Sequence, residues 1–323
     1  MNPPSLKVGA PRLRLLFCGT PQFAVPTLQH LLAQSDFEII AVITQPDRPR
    51  GRGHQVSLSP VKEIGQAANV KVFQPEKIRS IESEQFLREA NPDAIVIIAY
   101  GQIIPARLLG IPKLGWINAH ASLLPKYRGA APIQWAIANG ETKTGVTTMR
   151  IDAGMDTGDM LMRREIPIGT NESTPELAAR LAAISAPLTA ETLRGLRDGT
   201  VRPETQNHAE ASVAPLLKKG DGRIDWSFPA QAIFNRMRGF TPWPGAFASF
   251  RGSVCQLSGH PTSKYDSFRL TPGEVHLEQS ALLVGCGEKT ILAVARVKVE
   301  GRKEVSALEF ANGAHLQPGE HFN

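Results

Sequence analysis

The sequence predicts an α/β protein: an open parallel sheet with helices on both faces, followed by a smaller domain built from β-strands. Three observations predict it. Short apolar runs alternate with amphipathic stretches from Leu13 to Asp198, the rhythm of βαβ units whose crossovers pack back onto a sheet. Ala94 to Ile98 (AIVII) is apolar throughout, as a strand covered on both faces must be. Beyond about residue 205 the pattern changes to short strand candidates separated by Gly, Pro, Ser and Asp, which reads as a small barrel or sandwich. A length of 323 residues allows two such domains, each with its own core.

The elements follow in order. Leu13 to Cys18 is a short apolar strand, Gly19-Thr20-Pro21 a tight turn, and FAVPTLQHLLAQ a helix with Phe23, Leu28, Leu31 and Leu32 at helical spacing. Glu38 to Thr44 is a buried strand, and a long polar loop separates it from a helix at Pro60 to Asn69. Val70 to Phe73, Ala94 to Ile98 and Gly115 to His120 are strands, with a helix at Ile81 to Ala90 between the first two. A helix at Pro132 to Asn139 precedes the alternating strand Gly145 to Ile151 and the strand Met160 to Ile168. Pro175 to Asp198 is a long amphipathic helix, with Leu177, Leu181, Ile184, Leu188 and Leu193 near one face. The second domain offers strands at Ala246 to Arg251, Val254 to Leu257, Phe268 to Leu270, Ala281 to Val284 and Thr290 to Val299.

Composition excludes several classes. No stretch approaches the ~20 continuous apolar residues of a membrane helix, and the basic N-terminus lacks the ~7–15-residue apolar core of a signal peptide, so a cytoplasmic protein is expected. Cys18, Cys255 and Cys286 are odd in number and widely spaced, which indicates neither a disulfide framework nor a metal site. The formal charge of +6 and a pI near 9.3 suit a polyanionic partner without requiring one.

Chemistry concentrates in three places. In Trp116 to Pro132, Asn118 and His120 stand two apart on one strand, so they share a face, and they sit at a carboxyl end, where open α/β sheets bind ligands. Arg150 to Asp159 carries Asp152, Asp156 and Asp159 with Gly154 and Gly158 between them, a flexible acidic loop able to bring one carboxylate to His120. A carboxylate beside an imidazole is the arrangement acid-base or electrostatic catalysis needs. No activated nucleophile is in view, so a covalent enzyme intermediate is not expected. The third place is Thr44 to Pro60, a loop longer than ordinary α/β connections in which Arg48, Arg50 and Arg52 alternate with Pro and Gly, as suits phosphate contact.

Taken together, the motifs resemble the methionyl-tRNA formyltransferase family, of the folate-dependent formyltransferase superfamily. The resemblance is carried by FCGTPQFAVPTL (Phe17 to Leu28), TQPDRPRGRG (Thr44 to Gly53), AYGQIIP (Ala99 to Pro105), INAHASLLPKYRGAAPIQWAI (Ile117 to Ile137) and GVTTMRIDAGMDTGDML (Gly145 to Leu161). It continues through APLLKKGDGRIDWS (Ala214 to Ser227), FTPWPGA (Phe240 to Ala246) and SALEFANGAHLQPGE (Ser306 to Glu320). It implies a Rossmann-like catalytic domain over residues 12–198, a linker at 199–208 and an OB-like tRNA-binding domain over 209–323; residues 1–11 have no family counterpart and are expected as a disordered tail. It implies transfer of the formyl group of 10-formyltetrahydrofolate to the methionine α-amino group of initiator methionyl-tRNA, by a monomer without a metal. The family's catalytic triad falls on Asn118, His120 and Asp156. Its folate-contacting run falls on Ser122, Leu123, Leu124 and Pro125, with Tyr100 and Gly101 beside it. Its tRNA-reaching loop carries Arg48, Arg50 and Arg52, and Lys218, Lys219, Arg236 and Arg238 are candidate backbone contacts in the second domain. A transferase for an amino-sugar nucleotide, with the same triad, is the nearest alternative.

Overall fold

Buried apolar runs supply the strands of the first sheet. Leu13–Gly19 forms β1, Phe37–Ile43 β2, Lys71–Phe73 β5, Ala94–Ile98 β6 and Trp116–His120 β7; every residue of β6 is buried, as its unbroken AIVII run requires. The chain is described as a computed structural model covering residues 12–50, 55–265 and 267–323, with the backbone alone for residues 49, 50, 55 and 56. The expected tail, residues 1–11, and Arg52 lie outside the described residues, as does the side chain of Arg50.

The helices start where capping chemistry places them. Val25–Leu32 is α1; Pro60–Ala67 is α2, with Pro60 in its first turn and the Ser59 hydroxyl accepting from the Lys62 amide. Ile81–Ala90 is α3, capped by Ser80 and ended by Asn91 in the left-handed region. Ala106–Leu109 is the one-turn α4, which the sequence reading missed. Pro132–Ala138 is α5, Lys143–Arg150 β8, Met160–Pro167 β9 and Thr174–Arg197 α6. The polar loop after β2 carries a short hairpin, β3 (Arg48–Arg50) against β4 (Gln55–Ser57).

The seven-stranded sheet has the order β5-β2-β1-β6-β7-β8-β9. β2, β1, β6 and β7 pair in parallel, β5 joins β2 in parallel, but β8 runs antiparallel to β7. The all-parallel expectation is corrected at this edge. A parallel β7–β8 pair would need a crossover helix laid on the sheet, whereas α5 packs on the later helix α7 (Ala230–Gly239). The chain leaves β1 toward β2 and β5 and then returns to β6 on the other side, so the crevice at a switch point lies beyond the carboxyl ends of β1 and β6.

One tie across this unit has a measurable consequence. Asp36, just before β2, accepts from Arg194 Nε at 2.8 Å and Arg194 Nη2 at 2.9 Å, near the end of α6. The Arg194 hydrogen bond holds the Asp36 carboxyl below its usual value against the opposing effect of partial burial. The stabilisation is therefore full above the unfolded value near 3.8 and is lost as pH falls through the lower folded value. Asp36→Asn is expected to cost about 1–2 kcal/mol at pH 7, with the gap to the parent closing below about pH 4. Melting curves of both proteins at neutral and acid pH check this; a gap that stays constant would refute it.

The second sheet is antiparallel, in the order β10 (Phe247–Phe250), β11 (Ser253–Thr262), β14 (Ile291–Val299), β13 (Ala281–Gly285), β12 (Val275–Glu278), with β15 (Val305–Ser306) on β14. It curls into a half-barrel over Trp226, Met237, Phe250, Phe310 and Phe322, closed by α7 and by α8 (Ala307–Ala314). Neither helix is expected from the strand-like reading of this region. Phe268 to Leu270 is not a strand; Phe268 and Leu270 pack on Leu283 and Ile291 instead.

By compactness the chain divides into two units. The first comprises the described residues up to Gly129, Gly145–Ile166 and Ala178–Val213, and the second Ala130–Thr144, Pro167–Leu177 and Ala214–Asn323. The segment 199–208, expected as a linker, thus folds with the first unit: Glu204 pairs with Met160 through two backbone hydrogen bonds of 2.8 Å.

Candidate active site

β7 carries Asn118 and His120 to the carboxyl edge of the sheet, two residues apart as the pleat requires. His120 is 6% exposed. Its Nε2 lies 2.9 Å from the Tyr127 carbonyl, and its Nδ1 lies 3.6 Å from Asp156 Oδ2. The same Oδ2 accepts from the Gly129 amide at 2.8 Å. Of the three carboxylates in the acidic loop, Asp156 is therefore the one brought to the imidazole. Asp152 is occupied within its own turn by Thr157 and the Gly154 amide, and Asp159 accepts from Thr205.

The backbone here is held in unfavourable conformations. Ala99, Tyr127 and Asp156 have φ of 48°, 60° and 53°, left-handed values that persist in non-glycine residues only when surroundings over-determine them. Gly158 is needed for space: a Cβ there would stand 1.9 Å from the Arg150 carbonyl oxygen, so only glycine lets the acidic loop close on β8.

A cavity of about 260 Å³ opens beside the pair, walled by Tyr100, Ile104, Asn118, Met149, Ile151 and the 152–156 loop. Among the described residues, no side chain or backbone group hydrogen-bonds the Asn118 amide, which is left for whatever enters. The Tyr100 hydroxyl is buried without a partner among the described residues, and burial pushes its ionisation upward. Gly101, at φ 87°, opens instead onto an adjoining cavity of about 700 Å³ that Arg48, Thr20, Gln45 and Gln102 also line.

The run Ser122 to Pro125 lies elsewhere in the architecture. Ser122 and Leu124 are buried; the Ser122 hydroxyl donates to the Lys126 carbonyl at 2.6 Å, and Thr147 Oγ1 donates to the Ser122 carbonyl at 2.7 Å. Leu124 packs with Met149 and Met160. Leu123 and Pro125 are half-buried, and none of the four lines either cavity. They fasten the end of β7 to β8.

Arg48 is exposed at the foot of the β3–β4 hairpin, where an ion pair of Lys62 with Asp47, backed by Gln74 Nε2 on Asp47 Oδ1 at 3.0 Å, fixes the loop's start. In the second unit, Lys218 and Lys219 are exposed, and Arg236 stacks over Phe240 with 5.2 Å to the ring centre. Arg238 is 9% exposed and spends four of its five guanidinium N–H groups on Asn235 Oδ1 and the Gly169 and Glu172 carbonyls, a buried structural role rather than the surface position a phosphate contact needs. Among the described residues no cluster of three or more His, Cys, Asp or Glu side chains is placed to hold a metal ion, and no helix is long and apolar enough to cross a membrane.

The sequence reading passed over Arg128 and Gln206. Arg128 donates to Gln206 Oε1 through Nε at 3.0 Å and Nη2 at 2.7 Å, and Gln206 Nε2 donates to the carbonyls of Asp156 at 2.9 Å and Gly158 at 2.7 Å. The YRG triplet was a signal for the first; nothing local marks the second.

Comparison with known proteins gives the family. The family model described as formyl transferase matches residues 12–192, and that described as formyl transferase, C-terminal domain, matches residues 216–315. The chain belongs to the formyl transferase family. Among its formyl transferase relatives, the methionyl-tRNA formyltransferase of Solibacter usitatus is 52% identical over 309 residues, covering 95% of this chain and 98% of the relative. That of Koribacter versatilis is 51% identical over 302 residues, covering 93% and 95%. Of solved structures, the sugar 3N-formyl transferase WlaRD, in the presence of dTDP and 5-N-formyl-THF, aligns with a TM-score of 0.64 at 17% identity, over 91% of this chain and all of that one. HypX from Aquifex aeolicus in complex with tetrahydrofolic acid aligns with a TM-score of 0.60 at 16% identity, over 97% of this formyl transferase and 51% of HypX. At these identities the two structures share the fold.

Proposed function

We propose that the chain transfers the formyl group of 10-formyltetrahydrofolate to the α-amino group of methionine carried by initiator tRNA. The observation that carries this reading is the convergence of Asn118 and His120 on β7 with Asp156 from the acidic loop: Asp156 faces the His120 ring, and Asn118 and Asp156 wall one cavity. The acceptor rests on the likeness to methionyl-tRNA formyltransferases at about half identity over nearly the whole chain.

Attack of an amine on a formyl carbon places negative charge on the formyl oxygen and leaves a proton to remove from nitrogen. The Asn118 amide, without a hydrogen-bond partner among the described residues, donates to that oxygen. Both ring nitrogens of His120 face oxygen: Nε2 the Tyr127 carbonyl and Nδ1 the Asp156 carboxylate. A doubly protonated ring presents a donor to each and offsets the developing charge. Asp156 Oδ2 is engaged by the Gly129 amide, which leaves Oδ1 to take the amine proton, directly or through water. The apolar walls from Tyr100, Ile104, Met149 and Ile151 suit a flat aromatic ring such as the donor's pterin.

The deciding experiment is single-turnover transfer of labelled formyl from 10-formyltetrahydrofolate, with initiator methionyl-tRNA, elongator methionyl-tRNA and an amino-sugar nucleotide offered in parallel and free formate monitored. Label on initiator methionyl-tRNA alone is expected. Label on the sugar, or formate without an acceptor, would overturn the acceptor and keep the fold.

The basic loop makes a second expectation. Replacing Arg48, Arg50 and Arg52 with alanine should reduce the dependence of tRNA binding on salt, lowering the slope of log K against log salt by up to about 3, while folate affinity stays within about twofold. An unchanged salt slope would remove the loop from the tRNA interface.

A further inference from the structure

We propose that Gln206, acting with Arg128, is a positioning residue that sets the His120–Asp156 pair, and that the strap 204–213 is part of the active site. What the pair does rests on the function proposed above; how it is held does not.

The amide of Gln206 is 2% exposed and fully used: Oε1 receives two N–H groups of Arg128, and Nε2 gives its two hydrogens to the Asp156 and Gly158 carbonyls. Arg128 is 8% exposed, and its third contact is Nη1 to His208 Nδ1 at 3.2 Å. Among the described residues no carboxylate pairs with it. A buried guanidinium held by neutral acceptors alone is costly to keep, and its neighbours in sequence explain what the arrangement secures. Tyr127, one residue before, supplies the carbonyl on His120 Nε2, and Gly129, one residue after, supplies the amide on Asp156 Oδ2. One tripeptide thus orients both members of the pair.

That tripeptide is fixed from the strap. Ser212 accepts the Tyr127 amide on its hydroxyl at 2.9 Å and the Arg128 amide on its carbonyl at 2.8 Å. The strap is fixed in turn by the paired Met160 and Glu204 and by Thr205 on Asp159. Tyr127 and Asp156, whose backbone this network grips, both stand at left-handed φ beside the imidazole. Without Gln206, both carbonyls lose this partner, the guanidinium keeps only His208, and the constraint on those two residues goes with them.

The test uses Gln206→Glu, which keeps an acceptor for Arg128 but opposes an oxygen to the two carbonyls, and Gln206→Met, which offers neither. Two readouts are taken on the full chain. In the substrate-free protein, hydrogen exchange of the Gly129 amide, which reports the Asp156 carboxylate, is expected to rise at least about tenfold while Val96 in β6 stays within about twofold. In single turnover at saturating substrates, the rate is expected to fall at least about tenfold with the affinity for the folate donor within about twofold. Adding either substitution to Asp156→Asn is expected to produce no further fall. Exchange at Gly129 that stays within about twofold of the parent, or that rises in step with Val96, would overturn the proposal, as would losses that add in the double variant. If Gln206→Met does not fold, Gln206→Glu decides alone. Should the parent transfer no formyl group, the function proposed above fails and the exchange measurement still decides this one.

Discussion

His120→Ala is expected to slow the transfer step by about 10²–10⁴-fold while leaving tRNA affinity nearly unchanged. The expectation follows from position: His120 is buried at the end of β7, with one nitrogen on the Tyr127 carbonyl and the other turned to Asp156. Alanine keeps the strand and removes the imidazole. Asp156→Asn is expected to give a loss of similar order, because an amide can still accept the Gly129 N–H but neither balances an imidazolium nor takes a proton. The check is single-turnover rate against tRNA dissociation constant for each variant, with thermal melts to exclude unfolding. A turnover within about tenfold of the parent in either variant would remove that residue from the chemistry.

The largest effect on stability is expected at Trp116, which opens β7. Its ring is 1% exposed in the core of the first unit, and its Nε1 donates to the Leu108 carbonyl at 2.9 Å. Trp116→Ala empties a large cavity, worth about 3–5 kcal/mol, and leaves the Leu108 carbonyl to the backbone amides of the following turn, Ile111 N–H at 3.2 Å among them. For a unit of this size the melting point should fall by roughly 10 °C. Because Trp116 precedes Asn118 by two residues, the variant should also lose activity below its melting point, as β7 shifts in the space left behind. A melt within about 2 °C of the parent would show that the site collapses without penalty.

The parts readable from sequence are those written in local patterns. β1, β2, β6 and β7 are apolar runs of strand length, and period-two spacing was enough to put Asn118 and His120 on one face. The antiparallel turn of β8 was not readable, because it depends on α5 packing against α7, about a hundred residues later. α7 and α8 were missed because each is short and sits among strand-like segments, although Ser306 and Glu309 do form a capping box. The triad's membership, Asp156 included, came from the family motif; the acidic loop read by itself left Asp152, Asp156 and Asp159 open, and it is Asp156 that the fold brings to His120. Gln206 was invisible for a plain reason: its acceptors are main-chain carbonyls 50 and 48 positions away, and no side-chain pattern records where a carbonyl points.

The chain crosses between its two compact units after residues 129, 144, 166, 177 and 213, and this bears on how the protein can be made and recombined. Neither unit is a continuous stretch, so a nascent chain cannot complete the first until Val213 has emerged, strap included. A chimera cut once at the apparent end of the catalytic half would separate the strap from the site it braces and leave two segments of the second unit behind. Exchange of the second unit between relatives should therefore give a folded protein when residues 130–144 and 167–177 travel with residues 214–323, and fail when the joint is a single point.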